Sequence, residues 1–167
     1  MKIFKYLIEA FFIYILFFLF KIIGLNFSRK ISSFLITKIG FLFRKKKIIK
    51  KNILNVFKNY SDSEIDELIK SMWLNYGYIL AEYIHLNKFR LNKFKKEYIK
   101  VHGAEILNKI NQSNKPVIFI SGHFGNFELM AMELEKRNVN LSAIYRPLNN
   151  IFLNPLMVYL RKKYICK

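Results

Sequence analysis

The predicted fold class rests mainly on one stretch of sequence, Lys115-Pro-Val-Ile-Phe-Ile-Ser-Gly-His-Phe-Gly-Asn-Phe-Glu128. Its apolar part, residues 117–120, is short and largely β-branched, lacks helical spacing, and is bounded by a proline and a glycine. Such a run is typical of a buried strand in an α/β sheet. Residues 127–134 favour a helix, so His123 is predicted to lie in a turn at the carboxyl end of a strand. Open α/β sheets bind their ligands at that edge.

His123 and Glu128 are the candidate catalytic residues of this turn. If residues 123–128 were all helical, the five-residue offset would turn the carboxylate about 140° away from the imidazole. Gly122 and Gly125 permit a non-helical turn that could fold the carboxylate back toward the ring. A carboxylate on one ring nitrogen fixes the tautomer and leaves the other nitrogen basic, as a general base requires.

Three other interpretations of His123 stay open. A histidine beside an apolar run is often a structural residue, although a packed core has little use for the glycines around it. A phosphate-binding loop would need the Lys-Ser/Thr ending of a P-loop or the third glycine of a dinucleotide motif, and the sequence has neither. A zinc site is less favoured, because His85 and His102 are far off in sequence and Cys166 is the lone cysteine. We predict no metal site.

The segment after the turn completes a predicted β-α-β unit. Residues 139–145 read as the next strand, so with helix 127–134 between them the two strands should be parallel and the crossover right-handed. Arg146 follows this second strand and is expected at the same sheet edge as His123, where a guanidinium could bind a phosphate in bidentate fashion. A surface arginine before a turn proline is the alternative.

The N-terminus predicts a membrane anchor. Residues 10–20 are apolar apart from one tyrosine, which is marginal against the roughly 20 apolar residues that a spanning helix needs. A secretory signal is not favoured, because no small-x-small cleavage site follows. We therefore expect an uncleaved anchor helix over residues 1–25, spanning the bilayer or lying in its interface with Lys21 reaching the headgroups. A buried core helix is the alternative.

A strong positive charge follows the anchor. The formal net charge is +18, and residues 26–58 hold ten Lys/Arg and no acidic residue. Since these cations alternate with apolar residues, the stretch reads as basic and amphipathic and is expected to bind an anionic membrane. A nucleic-acid-binding protein is a less favoured alternative, because no binding motif is recognised and the apolar N-terminus would be unexplained. The lone cysteine fits the reducing, cytoplasmic side.

Helices are predicted for most of the first half. A basic helical stretch should cover residues 28–57. Ser61-x-x-Glu64 then has the form of a capping box and opens an amphipathic helix over 62–86. Glu82 within that helix is expected to be a solvated or capping residue.

Two blocks of the sequence carry a family resemblance. Gly122-His-Phe-Gly-Asn-Phe-Glu128 resembles the His-x4-Asp/Glu motif of membrane acyltransferases, in the form seen in bacterial lipid A biosynthesis (lauroyl/myristoyl) acyltransferases. Tyr145-Arg-Pro-Leu-Asn-Asn150, followed by Asn154-Pro155 and Arg161, is similar to that family's next block. The resemblance runs from about residue 5 to the end of the chain, and the two blocks together make it specific.

The resemblance implies an activity and its partners. The enzyme would move a fatty acyl chain from acyl-acyl carrier protein to a hydroxyl of a lipid A precursor, a phosphorylated glucosamine lipid, in lipopolysaccharide biosynthesis. The site would face the cytoplasmic side of the cell inner membrane, and no cofactor is implied. His123 would be the general base and Glu128 would orient it. An acyl-enzyme formed on Ser121 is the less simple alternative.

The two blocks also contain the expected substrate-binding residues. Backbone N–H groups of the turn at Gly125, with the Asn126 side chain, would stabilise the oxyanion. Arg146 would bind a phosphate of the acceptor.

Family members continue past the last residues of this chain. The expected fold class is therefore α/β and truncated at the C-terminus, with N-terminal membrane-associated helices followed by the start of a mostly parallel sheet flanked by helices. Residues 26–167 are predicted to be the N-terminal, incomplete part of a single acyltransferase domain. An inactive membrane-bound remnant or interaction module of such an enzyme is the alternative function.

Overall fold

A computed structural model describes residues 2–93, 97–113 and 115–166. Those ranges hold eight helices: α1 Lys2–Ile23, α2 Leu25–Phe43, α3 Lys46–Val56, α4 Asp62–Tyr83, α5 Leu86–Arg90, α6 Ala104–Ser113, α7 Phe127–Lys136 and α8 Asn154–Tyr164. The chain divides into two compact units, one formed by Met1–Leu16 with His85–Lys167 and the other by Phe17–Ile84.

The close packing of α2 on α4 dominates the unit of residues 17–84. The α2 face toward α4 consists of small buried residues, among them Ser32, Ser33 and Gly40. Gly77 of α4 lies against Ser33, where an added Cβ would come within 2.3 Å of the serine Cα. The two helix backbones therefore touch at a point where only glycine fits.

An alanine at position 77 is expected to destabilise this unit. The Cβ would push against backbone, which cannot rotate away as a side chain can, so the helices must separate. Overpacking of this kind costs about 1–3 kcal/mol, more than the roughly 1 kcal/mol that replacing glycine by alanine gains in a helix interior. Chemical denaturation of Gly77→Ala followed by circular dichroism measures the difference. Ser71→Ala, at an exposed position of the same helix, is the matched control and should leave stability within about 0.5 kcal/mol.

An ion pair lies within the α2–α4 interface. Arg29 Nε donates to Glu82 Oε1 at 2.8 Å, and the glutamate is buried. The expectation that Glu82 is solvated or a cap is therefore wrong. A carboxylate removed from water needs a charged partner, and Arg29 on the neighbouring helix supplies one.

The predicted start of α4 is confirmed. Ser61 Oγ accepts from the Glu64 backbone N–H at 3.3 Å, and Glu64 Oε2 accepts from the Ser61 N–H at 2.8 Å, so the capping box is complete. The basic helical stretch expected over 28–57 consists of two helices, because α2 ends at Phe43 and α3 begins at Lys46. The break lets Ile49 of α3 pack with Ile65 and Ile69 of α4 in a small apolar core. That core is a tertiary contact, which helical spacing alone does not show.

The other unit is held together around α5, which contacts both α7 and α8. Leu86 and Phe89 of α5 and Met132 of α7 are almost fully buried. Arg90 at the end of α5 forms an ion pair with Glu135 of α7 and donates through Nη1 to the Tyr164 carbonyl of α8 at 3.1 Å. The short α5 thus fixes the positions of the two helices that carry the candidate site.

The predicted α/β fold with a parallel sheet is wrong. No strand occurs anywhere in residues 2–93, 97–113 and 115–166, and the chain is all-α over those ranges. Residues 117–120 and 139–145 carry apolar side chains as expected, but Ile118 and Ile120 are 87% and 93% exposed. The two segments border one open cavity of about 1140 Å³ and do not hydrogen-bond to each other. A strand requires a neighbouring backbone, and an apolar β-branched run cannot supply that partner by itself.

Candidate active site

The loop before α7 carries His123. The imidazole is exposed, and its ring centroid lies 4.2 Å from that of Phe127, the first residue of α7. Gly125 has φ +53°, in the left-handed region that glycine tolerates best, so the turn into the helix depends on it. Gly122 lies against the Phe124 ring, where an added Cβ would approach to 2.5 Å. The glycines therefore shape a tight, solvent-facing loop.

Glu128 lies in the first turn of α7 and is only 5% exposed. Its Oε1 accepts from Arg161 Nε at 2.9 Å and also from the second guanidinium nitrogen of the same arginine. Hydrogen bonds between two charged groups are stronger than neutral ones, and these two compensate the carboxylate for the loss of water. The first-turn position also suits a negative charge, because the helix N-terminus is partially positive.

Tyr145, the first residue of the second sequence block, contacts this ion pair. The Arg161 guanidinium carbon lies 4.5 Å from the centroid of the tyrosine ring, in a cation–π contact. The Tyr145 hydroxyl donates to Asn154 Oδ1, and that oxygen also accepts from the Leu148 backbone N–H at 2.9 Å. The chain of contacts from Glu128 to Leu148 brings the two blocks of the resemblance together in space.

Asn150 ties the second block to α1. Its side-chain N–H group donates to the Tyr6 carbonyl at 2.9 Å and to Glu9 Oε2 at 3.3 Å. Nearby, the Tyr14 hydroxyl donates to the Phe152 carbonyl at 2.8 Å. These contacts attach the loop that follows Tyr145 to α1 at one backbone carbonyl and two polar side chains.

The structure does not join all of the predicted site residues. No hydrogen bond links His123 to Glu128 within the described part of the chain, since the imidazole packs on Phe127. Arg146 is exposed beside Tyr145, and Asn126 is the N-cap residue of α7 without a side-chain cap bond. What the structure brings together is Glu128, Arg161 and the block that begins at Tyr145.

Arg161 is the residue whose role the sequence did not indicate. It appeared only as part of a similar block, 33 positions away from the carboxylate that it binds. Asn154 and Arg161 stand seven residues apart on α8, two helical turns, and therefore share a face. The sequence shows that spacing, but it does not show that this face of α8 contacts Glu128 of α7.

The thiol of Cys166, the single cysteine, is affected by the charges of Glu128 and Arg161. Burial raises the pKa of the Cys166 thiol, and the negative charges of Glu128 and Glu135 raise it further, against the opposing effect of Arg161. We expect alkylation by iodoacetamide at pH 8 to be several-fold slower than for an unstructured cysteine peptide, because only the thiolate reacts. The rate should rise as the pH increases beyond the ordinary range of a thiol.

Replacing Glu128 with glutamine removes one of those negative charges. Alkylation of Cys166 at pH 8 should then be faster than in the unmodified chain. An unchanged rate would show that the thiol does not sense this carboxylate.

The comparisons with known proteins agree with the motif. The sequence model of the bacterial lipid A biosynthesis acyltransferase family matches residues 1–166, which confirms the predicted family and enzyme class. Neither a curated protein nor a solved structure matches the chain. The family is membrane-associated, and α1, at 22 residues and about 33 Å, is long and apolar enough to cross a bilayer. The chain belongs to the bacterial lipid A biosynthesis acyltransferase family.

Proposed function

We propose that this chain transfers a fatty acyl chain from acyl-acyl carrier protein to a hydroxyl of a phosphorylated glucosamine lipid, a lipid A precursor, at the cytoplasmic side of the inner membrane. The observation that carries the proposal is that Arg161 contacts both Glu128 and Tyr145, so the His-x4-Glu motif lies beside the block that begins at Tyr145. Both blocks belong to one family by sequence, and their convergence supports a shared site.

His123 acts as the general base in this proposal. It removes the proton from the acceptor hydroxyl while the oxygen attacks the thioester carbonyl, and the C–S bond then breaks. The proton passes from the imidazole to the departing carrier thiolate. An ester forms, a thioester is consumed and no other reactant is needed. General-base assistance of this kind contributes about 10²–10⁴-fold to a rate.

Glu128 orients the imidazole when substrate is bound. In the free chain His123 rests on Phe127, so the loop must turn about Gly122 and Gly125 to bring the ring toward the carboxylate. Catalytic hydrogen bonds often form only in the substrate complex. Arg161 holds Glu128 in place during that movement and is therefore a positioning residue.

The oxyanion of the tetrahedral intermediate lies at the start of α7. Backbone N–H groups near Gly125 and the Asn126 side chain would donate to it, and the N-terminus of α7, which begins at Phe127, is partially positive. A negative charge that develops there is stabilised most if water is excluded.

Arg146 binds a phosphate of the acceptor. Its side chain is exposed one residue after Tyr145, which contacts the Glu128–Arg161 pair. A charge-assisted hydrogen bond contributes about 1.5–3 kcal/mol, so Arg146→Ala should raise the KM for the phosphorylated acceptor about 10–100-fold. The KM for the same lipid without phosphate should stay unchanged, and the two acceptors measured in parallel provide the control. An equal effect on both lipids would contradict phosphate recognition by Arg146.

The function itself is tested by transfer of a labelled acyl chain in proteoliposomes. Label carried on acyl carrier protein should appear in the glucosamine lipid. Free acyl-coenzyme A should be a poorer donor, because it is anionic but lacks the extended acidic protein surface that a chain of net charge +18 can bind. If label appeared neither in the lipid nor in free fatty acid, the result would favour the alternative that the chain is an inactive membrane-bound remnant of such an enzyme. Equal use of the two donors at low salt would argue against carrier recognition.

A further inference from the structure

An apolar stripe runs along α2 on the face opposite α4. Phe27, Phe34 and Phe41 are 64%, 61% and 64% exposed, and Ile31 lies between them in the same row. Their spacings of four, three and seven residues keep these side chains on one face of the helix. The buried serines and Gly40 occupy the other face against α4. An aromatic row of this length exposed on a folded unit marks an interaction surface.

Two lysines lie on the same helix face as the stripe. Lys30 Nζ lies 6.0 Å from the centroid of the Phe27 ring, and Lys38 Nζ lies 5.8 Å from that of Phe34. Their aliphatic stems can cover apolar surface while the ammonium groups reach a polar layer. Residues 26–58 contain no acidic side chain, so every charged residue near the stripe in the sequence is a lysine or an arginine.

We propose that the α2 stripe, Phe27 to Phe41, inserts into the boundary between headgroups and acyl chains of an anionic bilayer. It would be a second membrane contact, separate from α1 and from the chemistry at His123. The aromatic rings would enter the acyl layer, and the lysine ammonium groups would reach back to the anionic headgroups, so the stripe matches the two layers of that boundary. A second copy of the chain is a poorer occupant, because it would bring its own lysines against these.

Chain connectivity supports the same partner. α1 ends at Ile23 and α2 begins at Leu25, with only Gly24, at φ +79°, between them. Phe27 therefore follows the apolar helix by four residues and cannot lie far from a bilayer that holds α1. A stripe so close to lipid would otherwise expose aromatic rings to water at the membrane surface.

Depth measurement tests the insertion. Because Cys166 is the single cysteine, Cys166→Ser allows one bimane label at Phe34→Cys, or at Glu67→Cys on the exposed acidic part of α4 as the control. Both proteins are reconstituted in vesicles of phosphatidylethanolamine and phosphatidylglycerol that contain nitroxide-labelled lipid. We expect strong quenching by the nitroxide at position 34 and little at 67, with the reverse order for aqueous iodide. Equal access of iodide to both labels, in protein that sediments with the vesicles, would overturn the proposal.

Charge provides the second test. Lys30→Gln with Lys38→Gln should weaken binding to the anionic vesicles about 30-fold, and should leave binding to phosphatidylcholine vesicles unchanged. Lys70→Gln with Lys109→Gln removes the same charge from exposed positions elsewhere and is the matched control. Equal losses in the two double variants would mean that only net charge matters and would overturn the assignment to α2. Shielding of the label at position 34 without lipid, rising with protein concentration, would assign the stripe to a second copy instead.

Discussion

Replacing His123 with alanine is expected to lower acyl transfer about 10²–10⁴-fold, because the variant has no group at this position that can accept the proton of the acceptor hydroxyl. The side chain is exposed, so the stability of the unit should stay within about 0.5 kcal/mol. Initial rates with acyl-acyl carrier protein at saturating acceptor lipid measure the effect. His102→Ala, an exposed histidine outside the motif, is the matched control and should keep its activity. Near-normal turnover of His123→Ala would refute the general-base role.

The second large effect is expected at Arg161. Arg161→Ala removes two hydrogen bonds from a carboxylate that is only 5% exposed, and breaking such a buried pair costs about 3–5 kcal/mol of stability. Denaturant unfolding should show this loss. Activity should fall as well, since the Glu128 carboxylate is no longer held in the position from which it would orient His123.

A double-mutant cycle separates the structural role from the catalytic one. Glu128→Gln with Arg161→Met removes both charges together, so it should recover most of the stability that Arg161→Met alone loses. Transfer should stay low in the double variant, because the imidazole has lost the carboxylate that orients it. Recovery of activity along with stability would mean that the pair only supports the fold.

The sequence predicted the helices better than the architecture. The capping box at Ser61 and Glu64 is a local contact between residues three apart, and the start of α4 followed from it directly. Helix α7 was likewise predicted from the residues that form it. The parallel sheet was not local, because residues 117–120 could become a strand only against a backbone elsewhere in the chain.

The candidate site shows the same division. His123, Glu128 and the glycines of the loop were found from one continuous motif, since a strand-like run, a turn and a helix leave a local pattern. The partner of Glu128 was not found, because Arg161 reaches it through the packing of α8 near α7 rather than through the sequence between them. The buried position of Glu82 was missed for the same reason, as Arg29 lies on another helix.

Direct acyl transfer to a lipid hydroxyl is tested by the mass of the acceptor lipid after incubation with the purified chain and acyl-acyl carrier protein in proteoliposomes. We expect a gain of one acyl chain per acceptor, held as an ester that mild alkali releases, with equal loss of the carrier thioester. Acyl groups retained on the protein, or released only as free fatty acid while the acceptor mass stays unchanged, would contradict direct transfer to a lipid hydroxyl.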